Sequence, residues 1–198
     1  QKLLEQENVT IFEAAFLFDG LFVRTDVLVK KGKNIELIEV KAKSYDPENQ
    51  YLFFGKKGGM VPKWRPYLYD VAFQKYVVNN CFPEWMISSS IMMVDKTKKA
   101  SINGLNQLFR ISNKTDGRTG IIKKVDTIDE TGSSILGVKN VTDIVEEIHE
   151  DKYPYLEGYG FTKSIKLLQE LYEKDTFCGW PTDYSNCRKC EFKCSGDE

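Results

Sequence analysis

The sequence lacks the features of a secreted or membrane-spanning chain. No apolar run approaches the roughly 18 residues needed to cross a bilayer. No basic segment followed by an apolar one indicates a signal peptide. We therefore expect a cytoplasmic protein that has no membrane partner.

Excess positive charge is also missing, and histidine is nearly so. The formal net charge is −1, which excludes a globally basic nucleic-acid binder, so any positive field that holds DNA must be local. With one histidine in the chain, we look for chemistry that needs no histidine general base. Internal repeats and low-complexity tracts are absent too.

The composition that is present predicts a folded domain with a small appendage. Hydrophobic residues make up 41% of the chain and aromatic residues 13%, which is enough for a core. We expect one domain over residues 1–175 and a cysteine-rich metal-binding tail over residues 176–198. Because the chain opens on Gln1 rather than on methionine, we interpret it as part of a longer protein that carries further domains or works with a helicase partner.

Most elements can be predicted from apolar patterning. Residues 9–18, 21–29 and 35–41 read as strands that are apolar on both faces. A loop over residues 45–66 leads to a helix over residues 67–78. The remaining predictions are a strand at 86–94, short strands at 107–111 and 120–125, and helices at 141–150 and 162–174, the last with Thr162 as N-cap.

Two carboxylates and a lysine are expected to meet on the second and third strands. Glu39 and Lys41 are two residues apart and therefore project from the same face. A tight turn around Gly32 sets Asp26 opposite Glu39, and a divalent cation would relieve the repulsion between these carboxylates. Glu13, mid-strand among apolar residues, is a further candidate ligand. The alternative is an ordinary cross-strand salt-bridge cluster.

These residues also carry a family resemblance. The strings RTDVL, ELIEVKAKS and YDVAFQKYVV resemble the RecB-like exonuclease branch of the PD-(D/E)XK nuclease superfamily. Asp26, Glu39, Lys41 and Gln74 match its Asp, Glu-x-Lys and glutamine positions, and Glu13 matches less specifically. Val78 occupies the position at which the branch usually has tyrosine.

The resemblance implies both a fold and an activity. The fold would be a restriction-endonuclease-like mixed β-sheet flanked by helices, with a cysteine-ligated cap. The activity would be Mg²⁺- or Mn²⁺-dependent hydrolysis of DNA, of exonuclease type. Asp26, Glu39 and the Val40 carbonyl would bind the metal, and Lys41 would orient or deprotonate water and stabilise the transition state. One rival is a non-catalytic DNA-binding scaffold stabilised by an iron–sulfur cluster or zinc. The other is a small zinc-stabilised interaction domain with no nucleic-acid role.

Gln74 and Asp70 lie one turn apart on the predicted helix. The Gln74 amide could contact a water on the metal, a phosphate or the Lys41 amine, or it could be an ordinary surface glutamine. Asp70 could support the same network, or it could be a helix N-terminal charge favoured by the helix dipole.

Four cysteines cluster at the C-terminus, namely Cys178, Cys187, Cys190 and Cys194. Nothing indicates secretion, which disfavours disulfides, whereas spacing permits either zinc or a [4Fe–4S] cluster held by four thiolates. The resemblance favours iron–sulfur, with zinc as the alternative. Cys81 is expected to be a buried, apolar thiol.

A basic stretch precedes the helix and could contact DNA. Lys56, Lys57, Lys63 and Arg65 fall in a window without acidic residues, and Trp64, Tyr67 and Tyr69 are interleaved with them. Such a loop could contact phosphates and stack on bases, although an ordinary solvated loop would look the same. We expect His149, among glutamates, to lie on the surface.

Overall fold

The computed structural model describes residues 2–113, 119–156 and 158–176. The chain divides into two compact units, Gln1–Tyr153 and Pro154–Glu198. The predicted cysteine tail lies outside the described residues. Within the described part of the chain, no helix is both long enough and apolar enough to cross a membrane.

A five-stranded mixed sheet with helices dominates the first unit, which confirms the predicted mixed α/β class. The elements are β1 Asn8–Phe18, β2 Leu21–Lys31, β3 Asn34–Tyr45, α1 Arg65–Cys81, β4 Met86–Asp95, β5 Phe109–Asn113, β6 Thr119–Lys123, β7 Leu136–Asn140 and α2 Thr142–His149, with α3 Phe161–Glu173 in the second unit. The strand order of the sheet is β1-β2-β3-β4-β7; β3 and β4 run parallel and the other neighbours antiparallel. β5 and β6 form a separate two-stranded ribbon.

The hairpin between β2 and β3 has the register that the sequence predicts. Gly32 takes φ 60° in the turn, a conformation that glycine adopts without strain. The ladder runs from Lys31↔Asn34 to Val27↔Ile38. It ends there, one residue before Asp26 and Glu39 would form the next rung.

The pairing of β1 with β2 is also interrupted next to the point where the β2–β3 ladder ends, and we call this distortion the kink. Their register skips the rung at Glu13 and Asp26, and Glu13 adopts φ 55°. Residues an odd number of positions apart lie on opposite faces of a regular strand. Val23 and Leu28 nevertheless belong to the same core cluster. The strand therefore rotates between them, at the position where Asp26 lies.

The core of the first unit lies between the sheet and α1, whose buried residues include Leu68, Val71, Ala72 and Lys75. The helix is longer than predicted at both ends. Its start at Arg65 puts Pro66 in the first turn, where the missing N–H has no helical partner to lose. Asp70 consequently lies beyond the first turn, so the helix dipole does not explain it.

Two details of the prediction were wrong. The strand β7 had not been predicted, although it pairs with β4 along its whole length. The N-cap of α3 is Gly160 rather than Thr162, because the helix begins at Phe161 and already includes Thr162.

Candidate active site

Four polar side chains form a closed ring between β3 and α1. The Lys41 Nζ lies 2.5 Å from Glu39 Oε1 and 3.0 Å from Asp70 Oδ2. The Gln74 amide donates to Glu39 Oε2 at 2.7 Å and to Asp70 Oδ1 at 3.3 Å. Each carboxylate thus receives one bond from the lysine and one from the glutamine, so the four side chains fix one another's positions.

The fold places these groups where the sequence patterns indicated. Glu39 and Lys41 project from the β3 face that α1 covers, and Asp70 and Gln74 lie four residues apart on α1, hence on one helix face. Glu39 is only 6% exposed and Gln74 is 5% exposed. Gln74 is therefore not the surface glutamine of the alternative reading, and its contacts are with carboxylates rather than with the Lys41 amine.

Burial and charge set the protonation of the ring. Burial raises the pKa of the Glu39 carboxyl, against the hydrogen bonds from Lys41 and Gln74 that lower it. For Lys41, burial lowers the pKa, but the hydrogen bonds to Glu39 and Asp70 outweigh it and the net pKa is raised. Lys41 is consequently protonated at neutral pH and acts as a donor and a positive charge.

An aromatic ring adds a further contact to Lys41. The Lys41 Nζ lies 4.9 Å from the centroid of the Tyr67 ring, within the range of a cation–π interaction. Tyr67 lies on the same side of α1 as Asp70, three residues earlier. From the sequence Tyr67 was expected only to stack on bases, although its i, i+3 spacing to Asp70 could have indicated this contact.

Asp26 reaches the same region from the kink in β2. Its Oδ2 accepts a hydrogen bond of 2.7 Å from the backbone N–H of Val40. Asp26 therefore contacts the peptide that joins Glu39 to Val40, instead of lying directly across a regular rung from Glu39. The kink explains the difference, because it ends the β2–β3 ladder before this position.

The structure does not bring Glu13 into this group. Glu13 is exposed and its carboxylate lies 2.7 Å from the guanidinium of Arg24. Its φ of 55° breaks the alternation on which the expectation of a buried mid-strand carboxylate depended. Among the described residues, no set of three or more His, Cys, Asp or Glu side chains is arranged to hold a metal ion.

The basic stretch before α1 is more ordered than a solvated loop. Residues 53–61 form a small hairpin with a bridge between Phe54 and Met60, and the four basic side chains predicted to contact DNA, Lys56, Lys57, Lys63 and Arg65, are all exposed. Trp64 and Tyr69 are buried. The prediction that these two rings stack on bases was wrong, since they pack in the core.

Two further predictions concern His149 and Cys81. His149 is half-buried rather than on the surface, with its Nε2 2.9 Å from the Ala72 carbonyl oxygen of α1, and burial lowers the pKa of its imidazole. Cys81 is half-buried, and burial raises the pKa of its thiol. Such a thiol is unreactive, although Cys81 is less buried than predicted. The four C-terminal cysteines lie outside the described residues.

Comparisons with protein-family profiles, with curated proteins and with solved structures find no significant match to this chain. The function is therefore inferred from the geometry of five residues: Asp26, Glu39, Lys41, Asp70 and Gln74.

Proposed function

We propose that this chain is a metal-dependent nuclease that hydrolyses phosphodiester bonds of DNA at a site formed by Asp26, Glu39 and Lys41. The observation that carries the proposal is the position of the Lys41 ammonium, held by Glu39 and Asp70 beside the Val40 peptide that Asp26 contacts. A positive charge fixed beside the Glu39 carboxylate, with Asp26 bound to the adjoining Val40 peptide, suits a reaction in which negative charge develops on a phosphoryl group.

The residues present fit a magnesium-type ion. Such an ion takes one or two carboxylates and keeps several waters, and Asp26 and Glu39 supply two, with the Val40 carbonyl as a third oxygen donor. Each carboxylate oxygen has two acceptor positions, so Glu39 can retain its bonds to Lys41 and Gln74. When bound, the cation would supply Lewis-acid activation of water and of the phosphoryl group.

The chain's own residues would then have separate roles. Because its pKa is raised, Lys41 would donate to a phosphoryl oxygen and stabilise the transition state, rather than deprotonate the water. Asp70 would hold the ammonium of Lys41 in place, and Gln74 would orient the Glu39 carboxylate. The resemblance to RecB-like nucleases extends the proposal to exonuclease action, a restriction-endonuclease-like core and a [4Fe–4S] cap.

The alternative is that the ring is a structural ion-pair cluster in a DNA-binding scaffold. Both readings predict a stable ring, and they differ in whether Asp26 matters for turnover. Asp26 lies outside the ring and contacts only the Val40 backbone among the hydrogen bonds of the described residues. Neutralising Asp26 would therefore remove a metal ligand while leaving the four-residue ring intact.

The test is cleavage of linear single- and double-stranded DNA in Mg²⁺, Mn²⁺ or EDTA. Wild type should cleave only with metal, and Asp26→Asn and Lys41→Ala should be at least about a hundredfold slower, as for the loss of one transition-state donor. Glu36→Gln is the matched control, since Glu36 lies on the same strand and bonds Ser90 instead. A wild type as inert as the two variants with both metals would refute the proposal.

A further inference from the structure

One segment of the chain carries almost no negative charge. Residues 96–124, between β4 and β7, contain eight lysines and arginines and one acidic residue. Since the whole chain has a net charge of −1, this segment at +7 leaves −8 for the rest. Such segregation produces a local positive field on a protein that is acidic elsewhere.

The segment leaves the sheet at the edge where the candidate active site lies. β3 and β4 are parallel, and the last residue of β4, Asp95, pairs with Tyr45 at the C-terminal end of β3. Lys41 lies toward that same end of β3, between the paired residues Val40 and Ser44. The basic segment thus begins beside the residues proposed to act on DNA.

Within the segment, β5 and β6 form a ribbon that is uncovered on both faces. Ile111 pairs with Ile121 and is 79% exposed, while Ile121 is 72% exposed. Ile122, on the other face opposite Arg110, is also exposed. An isolated two-stranded ribbon is marginally stable in water, and the paired Ile111 and Ile121 form a contiguous exposed apolar surface of the kind found at interaction sites.

Basic side chains surround these aliphatic residues. Arg110, Lys123 and Lys124 are exposed, and none forms an ion pair with an acidic side chain among the residues that the structure describes. Their charge is therefore available to an anionic partner.

We propose that the ribbon Phe109–Asn113 and Thr119–Lys123 is an arm that binds duplex DNA in the major groove; this rests on the proposed function above and extends it to how substrate is held. The major groove of B-DNA is wide enough to admit a two-stranded β-ribbon. Arg110, Lys123 and Lys124 contact the phosphates, and Ile111 and Ile121 contact base edges, where the thymine methyl group offers an apolar surface.

The geometry favours DNA over two other anionic partners. The major groove of duplex RNA is deep and narrow, and side chains cannot read it. An anionic membrane would also attract basic and aliphatic residues, but it would give no role to the departure of the basic segment from the end of the sheet near Lys41. Duplex RNA and lipid vesicles are therefore the comparisons that the test must include.

The test measures binding without catalysis, by fluorescence anisotropy of a labelled DNA duplex in EDTA. The arm variant Lys123→Glu/Lys124→Glu is compared with the control Lys31→Glu/Lys33→Glu. The control makes the same charge change at the turn between β2 and β3, at the opposite end of β3 from the active site. A third variant, Ile111→Ser/Ile121→Ser, removes the aliphatic pair at constant charge, and far-UV circular dichroism verifies the fold of each.

The arm variant should bind DNA at least about tenfold more weakly. The slope of log K against the logarithm of the salt concentration should decrease in magnitude by about 2, as expected when two phosphate contacts are lost. The control should bind like wild type, and the aliphatic variant should bind more weakly with an unchanged salt slope. Wild type should prefer duplex DNA to duplex RNA and to vesicles of equimolar phosphatidylcholine and phosphatidylglycerol.

Three results would refute DNA binding by the arm. They are equally weakened DNA binding in the arm and control variants, unchanged DNA binding in both, and preferential binding of wild type to vesicles or RNA over DNA. Because EDTA prevents metal-dependent cleavage, the outcome is separate from that of the proposed function. A chain that binds DNA through the arm but never cleaves it would retain this inference and lose the nuclease.

Discussion

Replacing Lys41 with methionine tests the electrostatics of the ring most sharply. The substitution removes the ammonium between Glu39 and Asp70 but keeps most of the apolar side chain. Glu39 would remain buried with the Gln74 amide as its donor, and breaking a buried pair typically costs about 3–5 kcal/mol. The Asp70 side chain is 42% exposed, so the loss of that second pair contributes at most about 1 kcal/mol.

The pH sets a ceiling on this destabilisation. In Lys41→Met, Glu39 can bind a proton and so avoid being buried as an anion. Protonating it costs about 1.4 kcal/mol of folding free energy for each pH unit above the usual glutamate pKa of 4.5. The part assignable to Glu39 is therefore at most about 3.4 kcal/mol at pH 7 and about 1.4 kcal/mol at pH 5.5. The sign follows from a folded pKa above the unfolded one: stability is retained at low pH and lost as the pH rises through the folded pKa.

The assay is urea unfolding followed by tryptophan fluorescence at both pH values. Lys75→Met is the matched control, since Lys75 is a buried lysine of α1 whose partner Glu146 has a side chain that is 50% exposed. Glu146 stays hydrated when unpaired, so the control should lose little stability. Its pH dependence should be smaller than that of Lys41→Met, because the Lys75 charge is the least of the influences on the pKa of the neighbouring His149. If Lys41→Met costs the same free energy of unfolding at pH 5.5 and at pH 7, Glu39 is not the buried charge that Lys41 compensates.

Three other predictions follow from single residues. Gly137→Ala should lose about 1–3 kcal/mol in urea unfolding, because an added Cβ would lie 2.1 Å from the Tyr45 hydroxyl; an unchanged stability would contradict the packing. Glu13→Gly should gain up to about 1 kcal/mol in the same assay, since it relieves a left-handed φ and loses only an exposed pair with Arg24; a loss would show that the Glu13 carboxylate matters. Mn²⁺ at a hundred times its Kd should stabilise wild type by about 2.7 kcal/mol in a thermal melt and leave Asp26→Asn unchanged, whereas equal stabilisation would exclude Asp26 as a ligand.

The hairpin and the ring could be predicted because their signals are local. Gly32 fixes the turn and hence the β2–β3 register, and the two-residue spacing of Glu39 and Lys41 fixes their common face. The four-residue spacing of Asp70 and Gln74 does the same on the helix. The sequence therefore carried the identities of the four ring residues, although not the partner that each one contacts.

The kink, β7 and the buried aromatics depend on distant contacts. Nothing in the sequence around Glu13 marks a left-handed residue, since glycine is absent there. β7 has no buried residue, so it shows no strong apolar alternation, and its strand conformation depends on pairing with β4. Trp64 and Tyr69 lie in a basic window of the sequence, which suggests exposed side chains. They become buried only when α1 packs in the folded protein.

The basic arm is a different case, because its signal was present in the sequence. The near-zero net charge of the whole chain concealed a local excess of positive charge over residues 96–124, which a count by segment would have found. The ribbon within it was predicted approximately, at 107–111 and 120–125, against the observed Phe109–Asn113 and Thr119–Lys123. Its exposure on both faces could be learned only from the structure.

The central claim is that Lys41 stabilises charge during metal-dependent cleavage, and the most direct measurement is the single-turnover rate on linear duplex DNA in Mn²⁺. The rate should fall at least about a hundredfold in Lys41→Ala and recover in part in Lys41→Arg, which restores the positive charge. Glu36→Gln should cleave like wild type. Equal rates for wild type and Lys41→Ala, in protein that is folded by circular dichroism, would contradict the account.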